Sequence, residues 1–154
     1  MTDTYDYRIQ EGASRRRRED ALALYNAHRW NGAIYLGGYA IECSLKALVC
    51  YIENKRNFKD TLIYVGGARG ASLHNLESLL KGAGIDADLM MALCPSGELN
   101  EAWRTVVKQW SKDGLRYGDK LGNEKESKRF VEAVKLLHDF ILGRLRLQRG
   151  NRHD

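Results

Sequence analysis

Glu42 and Lys46 are the side chains whose type and spacing promise chemistry. Both lie in Ala33–Ile52, AIYLGGYAIECSLKALVCYI, a stretch that is apolar almost all the way round a helix. A helix apolar on every side belongs in the middle of a fold. Charges there are costly unless paired. The two are spaced i,i+4 with the acid first, the favourable order for a helical ion pair. Such a pair either fixes the packing register or forms part of a polar site that binds an anion.

Other chemistry is sparse. His28, His138 and His153 show no metal-ligand spacing, and Cys43, Cys50 and Cys94 form no CxxC. A structural metal and a disulfide framework are therefore not expected, and no cofactor is. The cysteines read as small buried hydrophobes in a reducing cytoplasm. No Ser/His/Asp or Cys/His signature is local. Gly66, Gly67 and Gly70 precede a helix, but the loop lacks the GK[ST] ending of a phosphate-binding loop and the spacing of a dinucleotide fingerprint. Arg69 and His74 lie five residues apart on this loop and the helix start that follows, a spacing that reads as coincidence.

With 154 residues the chain suits one domain. Its net charge of +5 favours acidic partners such as nucleic acid, nucleotides or an acidic protein surface. The polar, acidic start is no signal peptide. Ala33–Ile52 is long enough to span a bilayer. Its two charges would then sit near the midplane at about 2.5–3.5 kcal/mol each. A core helix is the better assignment, with no membrane association.

The elements that would position these residues are all helical. Residues 1–12 read as a loose lead-in, 13–148 as the domain and 149–154 as a basic tail. A first helix spans Ser14–Arg29, with Ala21, Leu22, Tyr25 and His28 on one face and the Arg15–Arg18 run in its opening turn. Asn31 is a candidate cap for the second helix. The short link makes these two helices antiparallel neighbours. Gly37 and Gly38 imply close approach of another backbone, from the first helix or a second subunit. Thr61–Val65 could be a short extended piece. Ser72 caps a helix that Gly82 ends, with Leu73, Leu76, Leu79 and Leu80 inward. Further helices are expected over Asp86–Leu93, Gly97–Trp110 and Glu124–Gln148. Trp103 and Trp110 could stack a base but fit core positions. The sum is an all-α, up-and-down antiparallel helical bundle of four to five helices.

Three blocks, in order, resemble the HEPN superfamily of small helical-bundle proteins. The first contains Ala40, Glu42, Leu45, Lys46, Ala47 and Leu48. The second is Leu73-His74-Asn75-Leu76, with Asn75 where the family has Asp. The third is Trp110 followed by Arg116 and Tyr117. The resemblance covers nearly the whole chain. It implies an antiparallel helical bundle, often a homodimer through the bundle faces and often paired with a minimal nucleotidyltransferase or another toxin–antitoxin partner. It also implies a polar site of Glu42, Lys46, His74, Arg116 and Tyr117 that takes RNA or a nucleotide. In that site Arg116 clamps phosphate, Lys46 is a second cation, Glu42 orients, and His74 and Tyr117 hydrogen-bond.

Many members are metal-independent ribonucleases with an Arg followed by His after four to six residues. The His moves a proton and the Arg stabilises phosphate charge. Here the positions after Arg116 where that His should fall are Leu121, Gly122 and Asn123, with no His among them. A non-catalytic binding module is the expectation. The alternative is a ribonuclease using Arg116 with His74.

Overall fold

The structure, a computed structural model, describes residues 4–66, 75–110 and 123–151. All of its regular elements are helical: α1 (Tyr7–Asn26), α2 (Trp30–Glu53), α3 (Leu62–Val65), α4 (Leu76–Gly82), α5 (Ala87–Leu93), α6 (Glu98–Gln109) and α7 (Glu124–Asn151), with a 3-10 turn at Phe58–Asp60. The all-α class expected from the periodicity is what the chain adopts.

α2 is the core helix. Ala40, Ile41, Leu45, Ala47 and Leu48 are fully buried. Among the described residues it is also the one helix long and apolar enough to cross a membrane, and 78% of its most apolar window is buried against the rest of the protein. That burial is what a core helix requires. Leu24 meets Gly32 at one end of the α1–α2 hairpin, and the rings of Tyr7 and Tyr51 meet at the other, 4.9 Å apart. The two helices are thus antiparallel, as the short link demands. Phe130 and Val134 of α7 pack on Gly37, and Arg149 reaches Tyr51. α7 therefore runs in the same direction as α2.

Several local expectations are corrected. α1 begins at Tyr7, not Ser14, because Asp6 accepts from Arg8 N–H and caps it. An isolated bridge between Asp6 and Asn57 pins this start, so residues 5–12 are not a loose lead-in. The arginine run consequently lies mid-helix, clear of the dipole of the first turn. Asn31 does not cap α2; Arg29 holds that position without a side-chain bond. Thr61–Val65 is not extended: Thr61 caps the helical turn of α3 through Tyr64 N–H. His28 leaves the helix in a left-handed conformation, φ 61°, and Leu22 is 49% exposed. Gly37 and Gly38 admit side chains rather than a backbone. A Cβ on Gly38 would lie 2.1 Å from Nε1 of Trp110. α7 extends to Asn151, so part of the expected tail is helix. Of the cysteines, Cys50 alone is buried; Cys43 and Cys94 are half-buried.

Asn75 accepts from Ser78 N–H at 3.2 Å and caps α4. That is a physical reason for Asn or Asp at this position: both cap well. Ser72 and His74 lie outside the described residues, as do Arg69, Arg116 and Tyr117.

Candidate functional site

A groove of about 590 Å³ runs between α1 and α2. Helical spacing builds both walls. Ile9, Ala13 and Arg16 recur along α1, and Tyr35, Tyr39, Glu42 and Lys46 along α2. Glu42 and Lys46 are thereby brought to the same floor. Their side chains are 3% and 5% exposed, and Lys46 Nζ donates to Glu42 Oε2 at 3.3 Å. Nζ also lies 5.6 Å from the ring centre of Tyr5 and 5.5 Å from that of Phe58. Aromatic faces and a carboxylate together offset the cost of burying the ammonium.

Lys46 carries three N–H protons, and among the described residues only Glu42 takes one of them. Gln10 lines the same groove. Its Nε2 donates to Thr4 O at 2.5 Å, while its buried Oε1 has no donor among the described residues. The rim adds Arg16 and Arg17. Arg17 is shared with Asp20 at 3.4 Å, and no described carboxylate lies within ion-pair distance of Arg16. Three cations thus face one carboxylate. At one end Tyr39 meets Trp110 edge to face at 5.3 Å, and Trp110 Nε1 donates to Tyr35 O at 3.1 Å.

This arrangement can hold an anion against aromatic surface. No histidine lines the groove among the described residues. Of the five residues expected to form the site, Glu42 and Lys46 meet here; His74, Arg116 and Tyr117 fall outside the described residues. Gln10, Arg16, Tyr35 and Tyr39 were missed, although the i,i+3,i+4 pattern of α1 and α2 places them beside Glu42.

A second polar cluster joins α1 to α7. Arg18 Nη1 lies 2.6 Å from Asp139 Oδ1 and 3.0 Å from His138 Nδ1. A guanidinium only donates, so Nδ1 accepts and the ring proton sits on Nε2. Nε2 then donates to Ser14 Oγ at 3.0 Å, and Ser14 donates to Glu11 O at 2.6 Å. Burial, reinforced by the charges of Arg18 and Arg15, pushes the His138 pKa down to about 4. His138 is 1% exposed and neutral near pH 7. It is a structural bonding group, and among the described residues no cluster could hold a metal ion.

Fold and groove together define an all-α protein with a buried ion pair opening on a cationic, tyrosine-lined cleft. No family model matches the chain, and neither a curated protein nor a solved structure does.

Proposed function

We propose that the chain is a HEPN-like binding module, an up-and-down antiparallel bundle whose long members are α1, α2, α6 and α7. It acts as a cytoplasmic homodimer and takes the phosphate of RNA or a nucleotide without catalysis of its own. A cognate nucleotidyltransferase is the protein partner this reading implies. The observation that carries it is Lys46 at the floor of the α1–α2 groove, with hydrogen-bonding capacity left over and Arg16 and Arg17 above it. Tyr35 and Tyr39 offer rings for a base to stack on. Arg116 supplies the further phosphate clamp.

The test is titration of labelled RNA and of ribonucleotides into the pure protein without metal. Wild type should bind and leave RNA intact. Arg16→Glu/Arg17→Glu should weaken binding by roughly tenfold or more and flatten its salt dependence. Unchanged affinity in that variant would remove the groove from consideration. RNA cleavage abolished by both His74→Ala and Arg116→Ala would replace the binding module with the ribonuclease.

A further inference from the structure

A separate groove, of about 410 Å³, lies between α1 and α7. Its two walls are matched. Arg18, Ala21, Leu22 and Tyr25 face it from α1 at i, i+3, i+4 and i+7. Lys128, Val131, Glu132 and Lys135 face it from α7 at the same spacing. Each wall is therefore two helical turns, about 10.5 Å long. The floor is apolar: Ala21 is 1% and Val134 2% exposed. On the lip, Leu22 stands 49% exposed. Two parallel ridges with an apolar trough between them are the surface into which a third helix packs.

Charge selects the occupant. Three of the four charged side chains along the rim are cations. Arg18 is balanced by Asp139 at 2.6 Å. Lys128 and Lys135 remain, one heptad apart, with Glu132 between them. A second copy of this chain is disfavoured, since an isologous contact would set this net-positive rim against an identical one. We propose that the α1–α7 groove docks an amphipathic helix of another protein. That helix presents apolar anchors at i, i+3 or i+4, and i+7, flanked by carboxylates that meet Lys128 and Lys135. The proposal does not depend on the ligand of the α1–α2 groove.

The test is fluorescence anisotropy with a labelled synthetic helix bearing leucine anchors and glutamate flanks. A scrambled peptide and a lysine-flanked peptide are the comparisons. Wild type should prefer the glutamate-flanked helix to the scrambled one by roughly tenfold. Leu22→Glu, at an exposed position, should lose that preference, with circular dichroism reporting the fold. Lys128→Glu/Lys135→Glu should reverse the choice between glutamate and lysine flanks. Equal binding of the scrambled peptide would overturn the proposal, as would an unaffected Leu22→Glu. Self-association abolished by Leu22→Glu, with no peptide bound, would assign the groove to a second copy instead.

Discussion

α1 meets a buried basic side chain on each side, and the two contacts differ in kind. Toward α7, His138 is neutral and both ring nitrogens are used, one by Arg18 and one by Ser14. Toward α2, Lys46 is held by Glu42 and two aromatic faces, with donors to spare, at the floor of an open groove. Burial of a titratable group is common to both and so cannot mark function. What separates them is residual hydrogen-bonding capacity combined with access. The α7 contact is a closed chain that sets the seating of one helix on another. The α2 contact is a polar cluster that a ligand could complete.

The sharpest way to break that contrast is to remove one partner at a time. Glu42→Ala strands the Lys46 ammonium in a site 5% exposed. It should cost about 3–5 kcal/mol in urea unfolding. Glu42→Leu/Lys46→Met should recover most of this loss, because an apolar pair of similar volume removes the buried charges altogether. The same double variant should lose RNA or nucleotide binding while folding normally. A folded double variant that binds as wild type would reduce the pair to a packing device and erase the difference between the two contacts.

The His138 contact makes a pH-dependent prediction of the next size. Its pKa is about 4 in the fold against 6.5 for an ordinary histidine. The unfolded chain therefore binds the extra proton first as pH falls. Stability from this group is complete above pH 6.5, declines from there to about pH 4, and is flat below. The loss amounts to about 3 kcal/mol. Arg18 and Arg15 work against the protonated ring and Asp139 works for it. Unfolding curves of wild type and His138→Gln should diverge across that window. Parallel curves would mean that His138 is free to charge, and the seam would then resemble the Lys46 site.

The sequence makes α2 legible because one property, all-round apolarity, has one structural solution. Glu42 and Lys46 are legible for the same reason: charges on such a helix must pair. The start of α1 was not, because Tyr7–Ala13 shows no apolar stripe, and its anchor is a bridge from Asp6 to Asn57, fifty-one residues away in sequence. His138 was read only against metal spacing. Its partners, Ser14 and Arg18, come from the opposite end of the chain. Long-range pairing between polar residues leaves no local periodicity to read. Arg16 and the tyrosines of the groove were hidden differently. Each is unremarkable alone, and only the α1–α2 packing aligns their stripes.

Glycine positions sharpen the comparison at the groove's tyrosine end. Alanine within a helix gains up to about 1 kcal/mol over glycine where its Cβ meets no neighbour. Gly143 has nothing within 4 Å of an added Cβ, so Gly143→Ala should stabilise by about that amount. Gly38→Ala should go the other way by about 1–3 kcal/mol. Its Cβ falls 2.1 Å from Trp110 Nε1, so the indole must leave and its bond to Tyr35 O is lost. Tryptophan emission should shift in Gly38→Ala only, and ligand affinity should fall with it. An unshifted spectrum would detach Trp110 from the groove.

The smallest effect is expected where α1 meets both neighbours at once. Arg149 Nη2 lies 2.9 Å from each oxygen of Glu11, and its Nε lies 3.3 Å from Tyr51 OH. These bonds raise the guanidinium pKa, Tyr51 contributing first and Glu11 next. The guanidinium stays charged at any working pH. The Arg149 side chain is 54% exposed, and exposed pairs contribute about 0–1 kcal/mol. Arg149→Ala should therefore cost less than about 1 kcal/mol, with the deficit shrinking in salt. Anion binding at the α1–α2 groove should be unchanged. A larger loss, insensitive to salt, would show that the end of α7 packs α1 and α2 together through Tyr51 rather than through charge. The contact would then belong with the closed His138 seam.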